Sequence, residues 1–257
     1  LHLSSAASDV YKRQHQSKAF KFLKELKGFD PCLFHGVTSS GKTEVYMRLV
    51  EEVLTRGEAC LILIPEISLT PQLEQRFKSR FGDNIDTYHS RKTAKERLET
   101  WKKAQSGELR VLIGTRSSLF VPLQKLSLII IDEEHDSSFK QQDGVKFSAR
   151  DVAIKMAQDR KIPIIVASAT PSLKMLHLAN KGKYKFVSIP KRVNDMDPPK
   201  FSILNSHFLD RSSGIDSNLI PLIHKTISKN KKVLIFINRR GYSPVFKCED
   251  CNWNALC

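Results

Sequence analysis

Residues 32–43 read CLFHGVTSSGKT. The first four form a short run rich in buried-type side chains, and the next eight fit G-x-x-x-x-G-K-[ST], a loop between a strand and a helix. The physical demand is specific. Successive backbone N–H groups must curl around a phosphate, which needs glycine where the chain comes closest, here Gly36 and Gly41. The helix that opens at Thr43 presents its positive N-terminal end to the same anion. In that frame Thr38, Ser39 and Ser40 line the cradle, Lys42 reaches the β- and γ-phosphates, and the Thr43 hydroxyl ligates Mg²⁺. A Gly/Ser turn followed by a coincidental Lys-Thr is the competing account. The strand before and the helix after weigh against it.

A phosphate loop needs a second metal-binding carboxylate at the end of a buried strand. LIIIDEEH, residues 128–135, supplies one: Asp132 to hold Mg²⁺ and Glu133 to take a proton from the attacking water. The plainer reading of Asp-Glu-Glu after a strand is an acidic helix N-terminus. Outward from these two motifs the chain alternates short apolar runs with longer periodic segments. Strands are expected at Cys32–His35, Ala59–Ile64, Arg110–Gly114, Leu128–Asp132, Ile162–Ser168 and Lys232–Ile237. Helices are expected at Thr43–Arg56, Leu69–Phe81, Thr93–Ser106, Ala149–Gln158 and Leu173–Asn180, after one that begins near Gln16. Ile/Leu/Val-rich strands with little alternation are buried on both faces, so the fold class is α/β, a mostly parallel, doubly wound sheet of RecA-like P-loop type.

The 257 residues carry 42 Lys+Arg against 27 Asp+Glu, a net charge of +15. That excess suits a polyanionic partner, although it also describes a self-repelling, soluble surface. The longest clean apolar stretch, 126–131, is far too short to span a bilayer, and no start resembling a signal peptide occurs. The chain opens on Leu1 and stops on Cys257, which reads as a fragment. Residues 1–14 fit no apolar pattern and are expected to be a disordered or non-native leader. A polar, proline-broken stretch, 191–200, is the expected linker between a first lobe (15–190) and a second that begins near 201.

Two classes of P-loop protein are excluded by what is missing: there is no Asn-Lys-x-Asp guanine reader and no Leu-Ser-Gly-Gly-Gln signature. Asp132–His135 instead resembles the DExH box of superfamily 2 helicases, and Ser168-Ala169-Thr170 resembles their motif III. GVTSSGKTEVY (36–46), PEISLTPQ (65–72), GTRSSLF (114–120), DEEHDSSFKQQ (132–142), SATPS (168–172) and NRRGYSP (238–244) together resemble the primosomal replication-restart helicases of bacteria. The resemblance spans about 16–257. Ser39 departs from it, since glycine is usual there, and a serine is expected to fit if its φ stays negative.

The resemblance implies a cytoplasmic 3′→5′ helicase driven by ATP. Its partners would be single-stranded and forked DNA, other primosome proteins and a single-stranded-DNA-binding protein. It gives Gln16 the role of reading adenine, against an ordinary helix-surface glutamine. It makes Thr115 and Arg116 a grip on the DNA backbone, against a plain helix cap. It makes His135, Ser168 and Thr170 a relay between nucleotide and DNA. It also implies a coupling loop over Asp136–Arg150, where Phe139 and Phe147 lie among the cations Lys140, Lys146 and Arg150. Exposed, the two rings would form a base-stacking platform; the alternative is that both pack into the core. The stacking loop is the expectation carried forward.

Arg239 and Arg240 follow the last expected strand. They would contact DNA phosphates, face the nucleotide across the cleft, or simply be solvated. Cys248-x-x-Cys251 with Cys257 has metal-knuckle spacing but lacks a fourth ligand, and a lone C-x-x-C is equally a redox pair. The resemblance makes these three the first of eight zinc-binding cysteines, so the Zn²⁺ sites would be incomplete here. Cys32 and Cys60 lie in apolar runs as inert core residues. Other superfamily 2 translocases, of repair or restriction type, and a nucleic-acid-binding fragment without turnover are the alternatives. The chain alone is expected to bind ATP weakly and to hydrolyse it poorly.

Overall fold

The computed structural model describes residues 3–65, 68, 71–192, 201–203 and 215–236, with side chains from Gln14 onward. The chain divides into two compact units, Leu1–Asp197 and Pro198–Cys257. The first begins with α1 (Leu3–Lys24), whose backbone runs without a break from residue 3, inside the stretch expected as a disordered or non-native leader, into the segment that starts near Gln16.

After α1 come β1 (Pro31–Gly36), α2 (Lys42–Thr55), β2 (Ala59–Leu63), α3 (Pro71–Phe81) and β3 (Ile85–Tyr88). Next are α4 (Ala94–Ser106), β4 (Val111–Gly114) and β5 (Leu126–Ile131). A small antiparallel hairpin, β6 (Lys140–Gln141) with β7 (Phe147–Ser148), leads into α5 (Ala149–Arg160). β8 (Ile164–Ser168), α6 (Leu173–Asn180) and β9 (Lys185–Ile189) complete the unit. Seven strands form one sheet in the order β3-β4-β2-β5-β8-β1-β9, every pairing parallel. The fold is the α/β, parallel-sheet architecture expected.

Period-2 geometry splits each strand between two cores. Phe34, Cys60, Ile62 and Ile130 face one side with Val45, Met47 and Phe77 of α2 and α3. Leu33, Leu61, Ile129 and Ile131 face the other with Ala104 of α4, Met175 of α6 and the stripe Ala149, Ala153 and Ala157 of α5. That i, i+4 run of alanines lets α5 lie close on the sheet. Each fully buried Leu or Ile adds about 1.5–3 kcal/mol, which is why the sheet's centre is built from them. Helix ends follow local chemistry. Thr93 and Glu96 form a complete capping box on α4, where the sequence placed the helix start.

Two strands of this sheet escaped the sequence reading, and both are edges. β3 (IDTY) alternates buried with half-exposed residues and β9 (KFVSI) is largely exposed, so neither makes a continuous apolar run. The opposite error falls in the second unit. Lys232–Ile237 was expected as a strand; Ile237 lies outside the described residues, and 232–236 have no sheet partner among them, with Leu234 93% exposed. A parallel strand needs neighbours for its amides, and no other strand is found among the described residues of that unit. They hold the 3-10 turn Ser217–Leu219 and α7 (Ile220–Ile227).

Candidate functional site

Strand order decides what meets. β1 and β5, which carry the two motifs, are separated by β8 rather than adjacent, so the SAT segment lies between them. His35 stands opposite Ser168 and Ile131 opposite Val166, which brings the loop after β1, Asp132 and Ser168 to one C-terminal edge. Ligands in open parallel sheets bind at such an edge.

There a cavity of about 510 Å³ is lined by Gln16, Thr38, Ser39, Ser40, Gly41, Lys42, Thr43, Glu44, Arg76, Asp132 and Glu133. Gly41 is left-handed (φ 88°) and caps α2 without a side-chain hydrogen bond, so the first amides of α2 are left for an anion. Gly36 is required for packing, since a Cβ there would lie 2.7 Å from both Lys42 Cγ and Ser40 Oγ. Lys42 Nζ donates to the Gly36 carbonyl at 2.8 Å and stands 3.6 Å from Glu133 Oε1. Ser40 Oγ is buried without a hydrogen-bond partner, an orphan that a phosphate oxygen would satisfy. Gln16 Nε2 donates to the Ser40 carbonyl at 3.1 Å, tying α1 to the loop.

Ser39 corrects the expectation of a negative φ: its φ is +61°, the left-handed region that glycine would occupy without penalty. Glu133, across the cavity, is also left-handed (φ 48°). Strained backbone thus sits on both walls of the cavity.

Asp132 is desolvated. Burial first and the Glu133 charge second raise its carboxyl from an ordinary 3.8 to about 6, against the opposing pull of Lys42 and hydrogen bonds from Tyr46 and the Glu133 amide. A divalent cation would offset that cost. The donors here are a hydroxyl (Thr43) and a carboxylate (Asp132), hard oxygen ligands of the kind Mg²⁺ takes together with phosphates and water. The residues present fit the ion.

His135 Nδ1 lies 2.8 Å from Ser168 Oγ, and Thr170 Oγ1 is 3.5 Å from both ring nitrogens. The histidine of the acidic motif and the SAT segment are therefore in contact. Glu134, which has no role in the motif reading above, is almost wholly buried. Arg150 Nη1 pairs with it at 2.7 Å, and Ser172 donates both its amide (2.6 Å) and its hydroxyl (3.1 Å). This three-part clasp joins the acidic motif, the start of α5 and the loop after β8. It also commits Arg150, one of the cations read into the coupling loop.

That loop needs a second correction. Phe139 is 2% exposed and packs in the core, so it cannot stack on a base. Phe147 is half-buried against the same core and meets Phe120 edge to face, with centroids 5.6 Å apart. Phe120, 62% exposed, is the accessible ring. Lys140, Lys146 and Phe147 border a shallow depression at the hairpin, and Arg116 Nη1 donates to the Lys140 carbonyl at 2.9 Å. Thr115 precedes that arginine at the end of β4 and uses no side-chain cap. Gly114 before it is obligatory, because a Cβ would lie 2.5 Å from the Tyr88 carbonyl.

Arg239, Arg240, Cys248, Cys251 and Cys257 lie outside the described residues. Among the described residues no group of three or more His, Cys, Asp or Glu side chains could hold a metal ion. Cys32 and Cys60 are buried in the core; burial pushes Cys32 to about 12 and Cys60 higher, so both stay protonated. No helix among the described residues is long and apolar enough to cross a membrane.

The family model of the DEAD/DEAH box helicases matches residues 13–178, and the chain belongs to that family. At the level of single proteins, it is 42% identical over 244 residues to the Replication restart protein PriA of Haemophilus influenzae, covering 95% of this chain and 33% of that protein. The Bacillus subtilis Replication restart protein PriA is 37% identical over 277 residues, covering 99% and 34%. The chain thus spans about a third of the length of these relatives. These are the proteins whose motifs the sequence resembles. Among solved structures, RecG bound to a three-way DNA junction matches with a TM-score of 0.52 at 21% identity, over 87% of this chain and 28% of that one, a likeness of fold.

Proposed function

We propose that the first unit is the nucleotide-hydrolysing half of an ATP-dependent 3′→5′ DNA translocase acting in replication restart. The observation that carries this reading is the convergence of the phosphate loop, Thr43, Asp132 and Glu133 on one cavity. The uncapped amides of α2, Ser40 and Lys42 bind the triphosphate, and Gln16 lies at the same cavity to read the base. Thr43 and Asp132 would hold Mg²⁺, which neutralises charge on the β- and γ-phosphates when bound. Glu133 takes a proton from the attacking water as the bond from the γ-phosphorus to the β,γ-bridging oxygen breaks, giving ADP and phosphate. Lys42 steadies the charge that gathers on the departing diphosphate.

Ser168 and Thr170 report the state of the site through His135, which touches both. On the DNA side Thr115, Arg116, Lys140 and Lys146 offer a hydroxyl and cations to the backbone. The resemblance to PriA supports direction, forked and single-stranded DNA as substrates, other primosome proteins and single-stranded-DNA-binding protein as partners, structural zinc on Cys248, Cys251 and Cys257, and a place in the bacterial cytoplasm.

The test is binding followed by turnover. Lys42→Ala should abolish binding of a fluorescent ADP analogue, while Glu133→Gln should keep binding and lose DNA-stimulated phosphate release. Undiminished binding by Lys42→Ala would sink the proposal.

A further inference from the structure

Tyr46 belongs to no motif role assigned above, yet it touches the carboxylate on which the site depends. Its hydroxyl donates to Asp132 Oδ1 at 2.9 Å, across 86 positions of sequence. The Glu133 amide donates to the same oxygen at 3.1 Å. Both hydrogen bonds land on Oδ1, and Asp132 lines the cavity, so Oδ2 is the oxygen left for a ligand there. The phenol is immobile: the residue is 2% exposed, and its ring packs edge to face on Phe34 with centroids 5.9 Å apart and planes at 81°. Tyr46 also lies three residues after Thr43 on α2, hence on the same face of that helix.

We infer that Tyr46 is the positioning residue for Asp132, fixing the carboxylate so that it meets a divalent cation through Oδ2 alone, in register with the Thr43 hydroxyl. One helix then supplies both the hydroxyl ligand and the holder of the carboxylate ligand, and the phosphate loop delivers the nucleotide to that helix's first turn. A carboxylate held by two donors on one oxygen cannot swing to chelate with both. That suits a small cation that demands near-octahedral geometry and keeps several waters. The inference rests on the magnesium–nucleotide reading of the cavity and adds a residue to it.

The experiment is a Mg²⁺ titration of nucleotide binding by the chain as it stands, with a fluorescent ADP analogue as probe and Tyr46→Phe as the variant. Phenylalanine keeps the ring and its contact with Phe34, and an unchanged melting transition checks the fold. The expected result is Mg²⁺-free affinity within about twofold of the parent, with the gain in affinity produced by Mg²⁺ reduced about tenfold, the scale of one hydrogen bond to a charged group. Larger cations that tolerate irregular coordination, tested with Ca²⁺, should be less affected. Superimposable Mg²⁺ titrations would overturn the inference alone. So would an equal loss with and without Mg²⁺, which marks a purely structural phenol. A parent chain that binds no ADP, or binds it without regard to Mg²⁺, would overturn the cavity reading and this inference with it.

Discussion

Two runs of similar composition end in different states. PCLFHG (31–36) becomes β1, buried between β8 and β9, while KVLIF (232–236) forms no strand and leaves Phe236 82% exposed. Both read as short apolar strands followed by a loop with basic residues. Among the described residues the difference is in their neighbours. A parallel strand becomes stable only when flanking strands take its amides and helices cover both faces, and β1 has all of these. Secure burial of β1 also lets its end carry what an isolated run could not: a left-handed serine and, two strands away, a desolvated carboxylate.

Substitution can break that contrast directly. Leu33→Asp should unfold the first unit, costing more than about 4 kcal/mol, whereas Leu234→Asp should stay within about 0.5 kcal/mol. Chemical denaturation followed by circular dichroism reads both, and equal costs would abolish the distinction. The next effect probes what the buried sheet tolerates at its edge. Because the folded state holds the Asp132 proton up to about pH 6 while the unfolded chain releases it near 3.8, nucleotide-free stability should fall as pH rises through this window. The loss is about 3 kcal/mol, and Asp132→Asn should recover it at pH 8 while removing the Mg²⁺ response. Melting curves of the parent and of Asp132→Asn from pH 3.5 to 8 test this; a stability difference between the two that does not grow in favour of the variant between pH 4 and 7 would contradict it.

Ser39→Gly should raise stability by about 1 kcal/mol by relieving a left-handed side chain, the opposite of the usual sign for glycine in a structured segment. The smallest effect is expected at the β3 edge. Burial alone would raise the Asp86 carboxyl, but hydrogen bonds from Lys92 (2.6 Å) and Thr100 (2.6 Å) and the Lys92 charge hold it below its ordinary 3.8. That stabilisation is present above pH 4 and lost as pH falls through the lowered value. Lys92→Met should cost about 0.5–1 kcal/mol at neutral pH and flatten the acid limb of the stability curve.

How far these features could be read in advance follows from how local their causes are. The phosphate loop and the acidic motif were legible because backbone chemistry over a few residues dictates them. The central strands were legible because burial on both faces leaves no room for polar residues. The edges β3 and β9 were not, since half-exposed strands look like loops. Phe139 and Phe147 read as one pair of exposed rings, yet one turns into the core and the other meets Phe120, a partner 27 positions upstream that no local pattern links to it. Tyr46, Arg76 and Glu134 were passed over for the same reason: each matters through something brought close only by the sheet order.

The Glu134–Arg150–Ser172 clasp shows what such long-range dependence entails. Change the glutamate and a guanidinium is stranded in the interior; change the arginine and an anion is; change the serine and the anion keeps its charge but forfeits a donor. None of the three can drift singly without penalty, so variation at these positions, wherever it survives, should arrive as a set.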